Sequence, residues 1–428
     1  MQTLGRTKQP DIKIISKIKL TNPESITLDN GVPLYSFNAG TQEVIKIECV
    51  FDAGTWYQDK KLVAFSTLKM LTEGTKKYSA SVLAELFDSY GAFIETEVDK
   101  DCTSISLYSL NKNLENLLPV FAEMIRESIF PQHELSVLLS NTKQDQLVLM
   151  QRVNYLAHVK FAEQLFGKDH PYGQKASIED YDKVVPADLI NFHKNYYHPS
   201  NLRIIISGKV EDKVVALINK HLGNKGWTAG NKTETKTYKI LPCSEKSIFI
   251  PKENALQSGI RVGKLLFTKK HPDYIGLSVL NTILGGYFGS RLMKNIREEK
   301  GYTYGIGSGM LSLKNGGYMY IASEVGADVR EKAIKEIYKE ITRLVKEPIS
   351  EKELNLVRSY MIGSFMRSID GPFALAEQFL NILDYKFDFV DYYNKYIKII
   401  KEITPLQLTA LAEKYFNADT FYETIAGK

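Results

Sequence analysis

Two stretches of the chain read alike: VVPADLINFHKNYYHPSNLRIIISGK (Val184–Lys209) and EITPLQLTALAEKYFNADTFYETIAGK (Glu402–Lys428). Pro186 aligns with Pro405, Leu189 with Leu408, Tyr196 with Tyr415, Tyr197 with Phe416 and Gly208 with Gly427, each pair 219 residues apart. Upstream, Glu134-Leu135 and Glu353-Leu354 keep that offset, after the similar phrases VFAEMIRESIFPQHEL and IYKEITRLVKEPISEKEL. Chance does not hold one register over so much chain, so the sequence is a duplicated structural plan.

Length agrees with duplication. A single hydrophobic core stops growing near ~250–300 residues, and this chain has 428. Working outward through the first copy, SITLDNGVPLYSFN predicts two strands joined at Asp29-Asn30-Gly31, and IKIECVFDAG a third strand. LVAFSTLKMLTEGT and ASVLAELFDSYG carry apolar residues at helical spacing, the second ending at Gly91. AFIETEVDKDCTSISLYSLN alternates as a hairpin, NLENLLPVFAEMIRE is a helix, and a long helical region covers Pro131–Phe166. The second copy restarts at SEKSIFI and QSGIRVGKLLF, after HLGNKGWTAGNKTETKTYK, a polar stretch with linker composition. The expected architecture is α+β: two homologous repeats, each a mostly antiparallel sheet backed by helices, at 1–222 and 240–428, with a linker at 223–239.

Composition excludes several classes. The formal charge of +5 is spread without a basic stripe or acidic tail, so neither nucleic acid nor a membrane surface is an expected partner. Cys49, Cys102 and Cys243 are odd in number and far apart, which gives neither a disulfide framework nor a cysteine metal site; buried apolar roles are expected. The opening MQTLGRTKQPDIKIISK lacks the apolar centre of a secretory signal, and no stretch reaches the ~18 apolar residues of a spanning helix. The expectation is a cytoplasmic protein, or a periplasmic one whose signal has been removed.

Two phrases carry a family resemblance. GGYFGSRLMKNIREEKGYTYGIGSG (Gly285–Gly309) resembles the second-half signature of pitrilysin-type (insulinase) zinc metallopeptidases, which include the mitochondrial processing peptidase. LTEGTKKYSASVLAELFDSYGAFIETEVDKDCTSI (Leu71–Ile105) resembles the stretch that follows their zinc motif, and HPYG at His170–Gly173 recurs there too. The resemblance covers nearly the whole chain and implies the clam-shell half of that fold.

In such enzymes H-x-x-E-H lies on the helix just before the Gly-Thr of the first phrase. Its histidines, four residues apart, share one helix face and hold zinc, while the glutamate activates water. Counting back from Gly74-Thr75, those positions hold Phe65, Leu68 and Lys69, and the third ligand position falls at Asp145. An ammonium repels a divalent cation, and one carboxylate without imidazoles is a poor zinc site. None of the seven histidines forms an i, i+4 pair, and surface or capping roles are expected for them. No metal is therefore expected in this chain.

The second signature is intact. In family members an arginine, and a tyrosine seven residues later, reach the zinc site: the arginine holds substrate carbonyls and the tyrosine hydroxyl donates to the oxyanion. Arg297 and Tyr304 match them, Arg297 on a helix ending at Gly301 and Tyr304 opening the next strand. Read without the family, Arg297 is a solvated helix arginine paired with a glutamate, and Tyr304 a half-buried strand tyrosine. Gly285, Gly286 and Gly289 match no phosphate-binding spacing and fit a turn with close backbone approach.

The resemblance thus implies a zinc-less subunit of a heterodimeric metallopeptidase. Its partner would be a homologous chain carrying H-x-x-E-H and the zinc, and its substrate an unfolded peptide added as a strand at the partner's sheet edge. Isolated, the chain could pair with itself. The alternative is a peptide-binding or scaffold protein of the same fold, since relatives also serve as core subunits of a respiratory complex. A stand-alone enzyme is disfavoured: no G-x-S-x-G elbow, Cys–His signature or paired carboxylate motif stands out.

Overall fold

The computed structural model describes residues 18–228, 230 and 236–428. The N-terminal stretch read for a signal, and the middle of the proposed linker, lie outside the described residues.

The first sheet contains β1 (Glu24–Thr27), β2 (Pro33–Asn38), β3 (Val44–Phe51), β4 (Phe93–Val98), β5 (Thr103–Leu110) and β6 (Leu202–Gly208), in the order β1-β2-β6-β3-β5-β4. The second contains β7 (Ser247–Pro251), β8 (Gln257–Leu266), β9 (Ile306–Leu313), β10 (Gly316–Gly326) and β11 (Tyr422–Gly427), in the order β7-β11-β8-β10-β9. Without β1 the orders are the same: β2, β6, β3, β5 and β4 correspond to β7, β11, β8, β10 and β9. Each sheet has one parallel pair, β2 with β6 and β11 with β7, and is otherwise antiparallel. The fold is therefore the expected α+β duplication.

The repeated glycine at the end of each copy has a physical reason. Gly208 closes β6 at φ +130° and Gly427 closes β11 at φ +146°, where side chains are strained. A Cβ on Gly208 would stand 2.2 Å from the Val44 carbonyl oxygen, and one on Gly427 2.7 Å from that of Gln257. Both strands run too close to a neighbour to carry a side chain there.

Each sheet packs one face on its own helices. In the first copy Ile47, Ile105, Leu117 and Phe121 are fully buried in one cluster, and in the second Val262, Ile321, Ile337, Ile341 and Leu408 are. Removing each such side chain from water contributes about 1.5–3 kcal/mol.

The other faces are covered by exchange. The helical region expected over Pro131–Phe166 breaks into Gln132–Leu149 and Val153–Phe166. The second helix leaves its own copy and lies on β8 and β11. Gly259 makes room for it: a Cβ there would be 2.6 Å from the Val153 carbonyl oxygen. Thr424 Oγ1 donates to Gln164 Oε1 at 2.7 Å, and Phe161 and Phe166 pack on Tyr318. Reciprocally, Pro372–Leu383 lies on β2 and β6, where Phe379 meets Tyr35 and Phe37 at ring separations of 4.8 and 5.6 Å. Arg203 adds a link between the copies, with ion pairs to Asp52 at 2.8 Å and Asp384 at 3.0 Å.

The described part of the linker is not detached. Trp227 and Tyr238 pack on the first core, and Tyr238 meets Trp56 edge-on at 4.9 Å. Among the described residues no helix is long and apolar enough to cross a membrane.

Candidate functional site

The first-half positions lie on the helix Val63–Lys69, shorter than the sequence suggests because Met70–Thr72 tightens to a 3₁₀ turn. Phe65 is half-buried and Leu68 is fully buried in the first core. Lys69 is engaged rather than free: its Nζ donates to Thr96 Oγ1 at 2.7 Å and to the Thr96 carbonyl at 3.2 Å. Burial lowers the Lys69 ammonium from the ordinary lysine value, partly offset by the Glu95 carboxylate. Lys69 thereby ties its helix to β4, the edge strand.

Asp145 is exposed on Gln132–Leu149, whose next residue, Gln146, is buried and accepts a 2.8 Å hydrogen bond from Tyr155 Oη. This donor set does not fit zinc: an aromatic ring, a core leucine and a hydrogen-bonded ammonium stand where two imidazoles and a carboxylate are needed. Among the described residues no three His, Cys, Asp or Glu side chains gather as a metal would require.

Two histidines, His170 and His198, are buried rather than superficial; His198 keeps the expected capping role, its Nε2 on the Asn195 carbonyl at 3.0 Å in the last turn of the helix Pro186–Tyr196. His170 accepts from the Tyr172 N–H at 3.1 Å and meets Trp56 edge-on at 5.6 Å. Of the cysteines, only Cys49 is fully buried; Cys102 and Cys243 are partly exposed, and all three are free thiols.

The second-half signature is built on π-helical backbone. Thr282–Gly286 and Met293–Glu299 both take this form, which occurs often at functional sites. Gly285 lets the first segment approach β9, since a Cβ there would be 2.6 Å from the Ser308 nitrogen. The second segment is anchored by two residues. Arg291 makes a two-pronged pair with Glu353, both contacts 2.9 Å, and Asn295 donates to Glu336 at 2.9 Å and Glu340 at 2.6 Å. These carboxylates are therefore occupied by side chains other than Arg297.

Arg297 is not paired with a glutamate. Its guanidinium lies over the Phe288 ring, 4.6 Å from the centroid, and has no ion pair or side-chain hydrogen bond among the described residues. Phe288 itself is 63% exposed, so the cation rests on an aromatic shelf open to solvent. Sequence reasoning missed Phe288; its only signal is a large apolar residue inside a polar, glycine-rich phrase.

Tyr304 is neither in a strand nor half-buried. β9 begins at Ile306, and Tyr304 is 95% exposed. Side chains hold the preceding bend: Thr303 Oγ1 donates to the Glu324 carbonyl at 2.7 Å, the Gly305 N–H donates to Thr303 Oγ1 at 3.1 Å, and Ser323 Oγ donates to the Gly305 carbonyl at 3.0 Å. These bonds replace the ladder for two residues and leave the Tyr304 phenol projecting outward. Arg297 and Tyr304 thus share one outward-facing segment, and no hydrogen bond or ion pair among the described residues joins them to Phe65, Leu68 or Lys69.

Fold and site together define a two-half peptidase-type clam-shell with one signature intact and the other altered. Residues 36–158 match the family described as insulinase (peptidase family M16), and residues 183–361 match the peptidase M16 inactive domain. The chain belongs to the M16 peptidase family. It is 25% identical over 352 residues to the uncharacterized zinc protease YmxG of Bacillus subtilis, covering 80% of this chain and 84% of that one. Its fold is like that of the peptidase M16 inactive domain from Pseudomonas fluorescens, with a TM-score of 0.85, 24% identity, and coverage of 95% of this chain and 98% of that one. It is also like the periplasmic protease PqqL from Escherichia coli, with a TM-score of 0.78 and 19% identity; there 99% of this chain covers 48% of the other.

Proposed function

We propose that this chain is the zinc-less, non-catalytic subunit of a heterodimeric M16 metallopeptidase. A homologous partner carries H-x-x-E-H and the zinc, and this chain supplies Arg297 and Tyr304 to the partner's site. The observation that carries the reading is the asymmetry between the two signatures. Arg297 keeps its fork of N–H donors free above Phe288 and Tyr304 projects at 95% exposure, whereas the metal positions are filled by a core leucine and a hydrogen-bonded lysine.

The chemistry follows from the residue types. The planar guanidinium positions peptide carbonyls with paired donors. A phenol hydroxyl directed at the scissile carbonyl stabilises negative charge as it develops on oxygen. Neither group activates water, so this chain alone does not hydrolyse peptides. The PqqL likeness supports a missing half, because this chain matches about half of that protease's length. The substrate is an unfolded peptide, bound as an added strand at the partner's sheet edge.

The test mixes this chain with an M16 homologue from the same genome that carries H-x-x-E-H. An unstructured fluorogenic peptide should be cut by the mixture, by neither chain alone, and not after chelation. An inert mixture that still binds peptide would favour the peptide-binding or scaffold reading instead.

A further inference from the structure

A cavity of about 430 Å³ lies among the second-copy helices Tyr274–Asn281, Glu351–Arg367, Pro372–Leu383 and Phe389–Glu402, and takes no part in the site above. Its size falls within the ~300–1,000 Å³ of small-molecule sites. Its walls are aromatic and mutually braced: Phe365 stacks on Tyr393 at 4.9 Å, and Tyr392 meets Tyr393 edge-on at 5.1 Å. Tyr393 Oη donates to Gln378. The hydroxyls of Tyr274, Tyr392 and Tyr396, which also line the cavity, have no hydrogen-bond partner among the described residues.

One lining residue is charged, and it is Lys269. Its Nζ donates to the Asn381 carbonyl at 2.8 Å and stands 5.7 Å from the centre of the Tyr385 ring. No carboxylate lines the cavity, and Lys269 has no ion pair among the described residues. Burial alone, with no opposing carboxylate, brings its ammonium down to about 8. A partly desolvated cation without a counter-ion is costly, and an incoming anion relieves that cost.

We propose that this cavity binds a small aromatic monocarboxylate, with the carboxylate on the Lys269 ammonium and the ring among Tyr274, Tyr392, Tyr393 and Tyr396. One cation matches one negative charge. A cationic ligand is opposed by Lys269, and a purely aliphatic one forgoes the ring contacts that the walls offer. The open phenol hydroxyls suit a polar ring substituent. The site is independent of the proposed peptidase role.

Calorimetric titration of the full chain with 4-hydroxybenzoate, and with neutral 4-hydroxybenzamide, tests the assignment. The carboxylate should bind one to one and lose about tenfold or more in affinity in Lys269→Met, as expected for losing a charge-assisted contact. The amide should change less than about twofold, because it does not use the charge. Should Lys269→Met fail to fold, the Lys269 Cε resonance of the wild type decides: a shift on adding 4-hydroxybenzoate supports the site, and no shift contradicts it. Failure of 4-hydroxybenzoate to bind the wild type at millimolar concentration, or binding that Lys269→Met leaves unchanged, overturns the proposal.

Discussion

Arg297 and Phe288 are nine residues apart, and the guanidinium of the first rests 4.6 Å from the ring centre of the second. The contrast with Arg291, six residues before Arg297, gives this meaning. Arg291 is bound by both oxygens of Glu353 and holds the segment in place, while Arg297 is steadied by the face of a ring that carries no lone-pair acceptor. A cation on an aromatic face keeps its donors available; a cation in a bidentate carboxylate pair does not.

Replacing the shelf should therefore weaken, not abolish, the arginine's contribution. An exposed cation–π contact is worth about 0.5–1 kcal/mol. Phe288→Leu is expected to raise KM for peptide about two- to fivefold in the mixed enzyme, with Phe288→Tyr near wild type. Steady-state kinetics on the purified mixture measures both.

The shared terminal glycines should be equally intolerant of a side chain. Gly208→Ala and Gly427→Ala each place a Cβ against a neighbouring strand at positive φ, and each should cost about 1–3 kcal/mol. Gly91→Ala has the strain of φ +61° but meets nothing within 4 Å, so about 1–2 kcal/mol is expected. Urea unfolding of the three variants ranks them.

Helix exchange predicts that the copies melt together. Val153–Phe166 completes the second copy and Pro372–Leu383 the first, so neither sheet keeps both faces covered if the other unfolds. Calorimetry should show one cooperative transition, and Phe379→Ala, a loss of about 3–5 kcal/mol, should lower it without splitting it. Two separated transitions would contradict the coupling.

Acid should act through His170. Burial, and then the charge of Lys100, depress its pKa to about 4, and its Nδ1 accepts the Tyr172 N–H only while unprotonated. The unfolded chain takes up a proton near ~6.5, the folded chain not until about 4. The stabilisation is thus complete above about 6.5 and is lost as pH falls from there toward 4. Urea midpoints at pH 7 and pH 5 should differ more for the wild type than for His170→Gln.

Much of this was legible in the sequence. Register across 219 residues revealed the duplication, because the same strand order demands the same apolar spacing and the same glycine at 208 and 427. The hairpin of β4 and β5 and the turn at Gly31 were equally plain. The exchange of Val153–Phe166 was not, since apolar periodicity says that a helix face is buried, not which sheet buries it. Tyr304 was misplaced by two residues because a tyrosine's strand preference is weaker than the side-chain hydrogen bonds of Thr303 and Ser323. The glutamate pairing that Arg297 suggests when read without the family does not form: Glu353, Glu336 and Glu340 hold Arg291 and Asn295, and Arg297 lies over Phe288 instead, a contact that spacing alone does not reveal.

The central claim is that this chain lends Arg297 and Tyr304 to another chain's zinc site, and the decisive measurement is kcat/KM for peptide cleavage by the mixed pair. Arg297→Ala and Tyr304→Phe should each reduce it by about tenfold or more, corresponding to at least about 1.4 kcal/mol of transition-state stabilisation, with sedimentation of the complex unchanged. Cleavage indifferent to both substitutions, or cleavage by this chain alone that survives a chelator, would contradict the account.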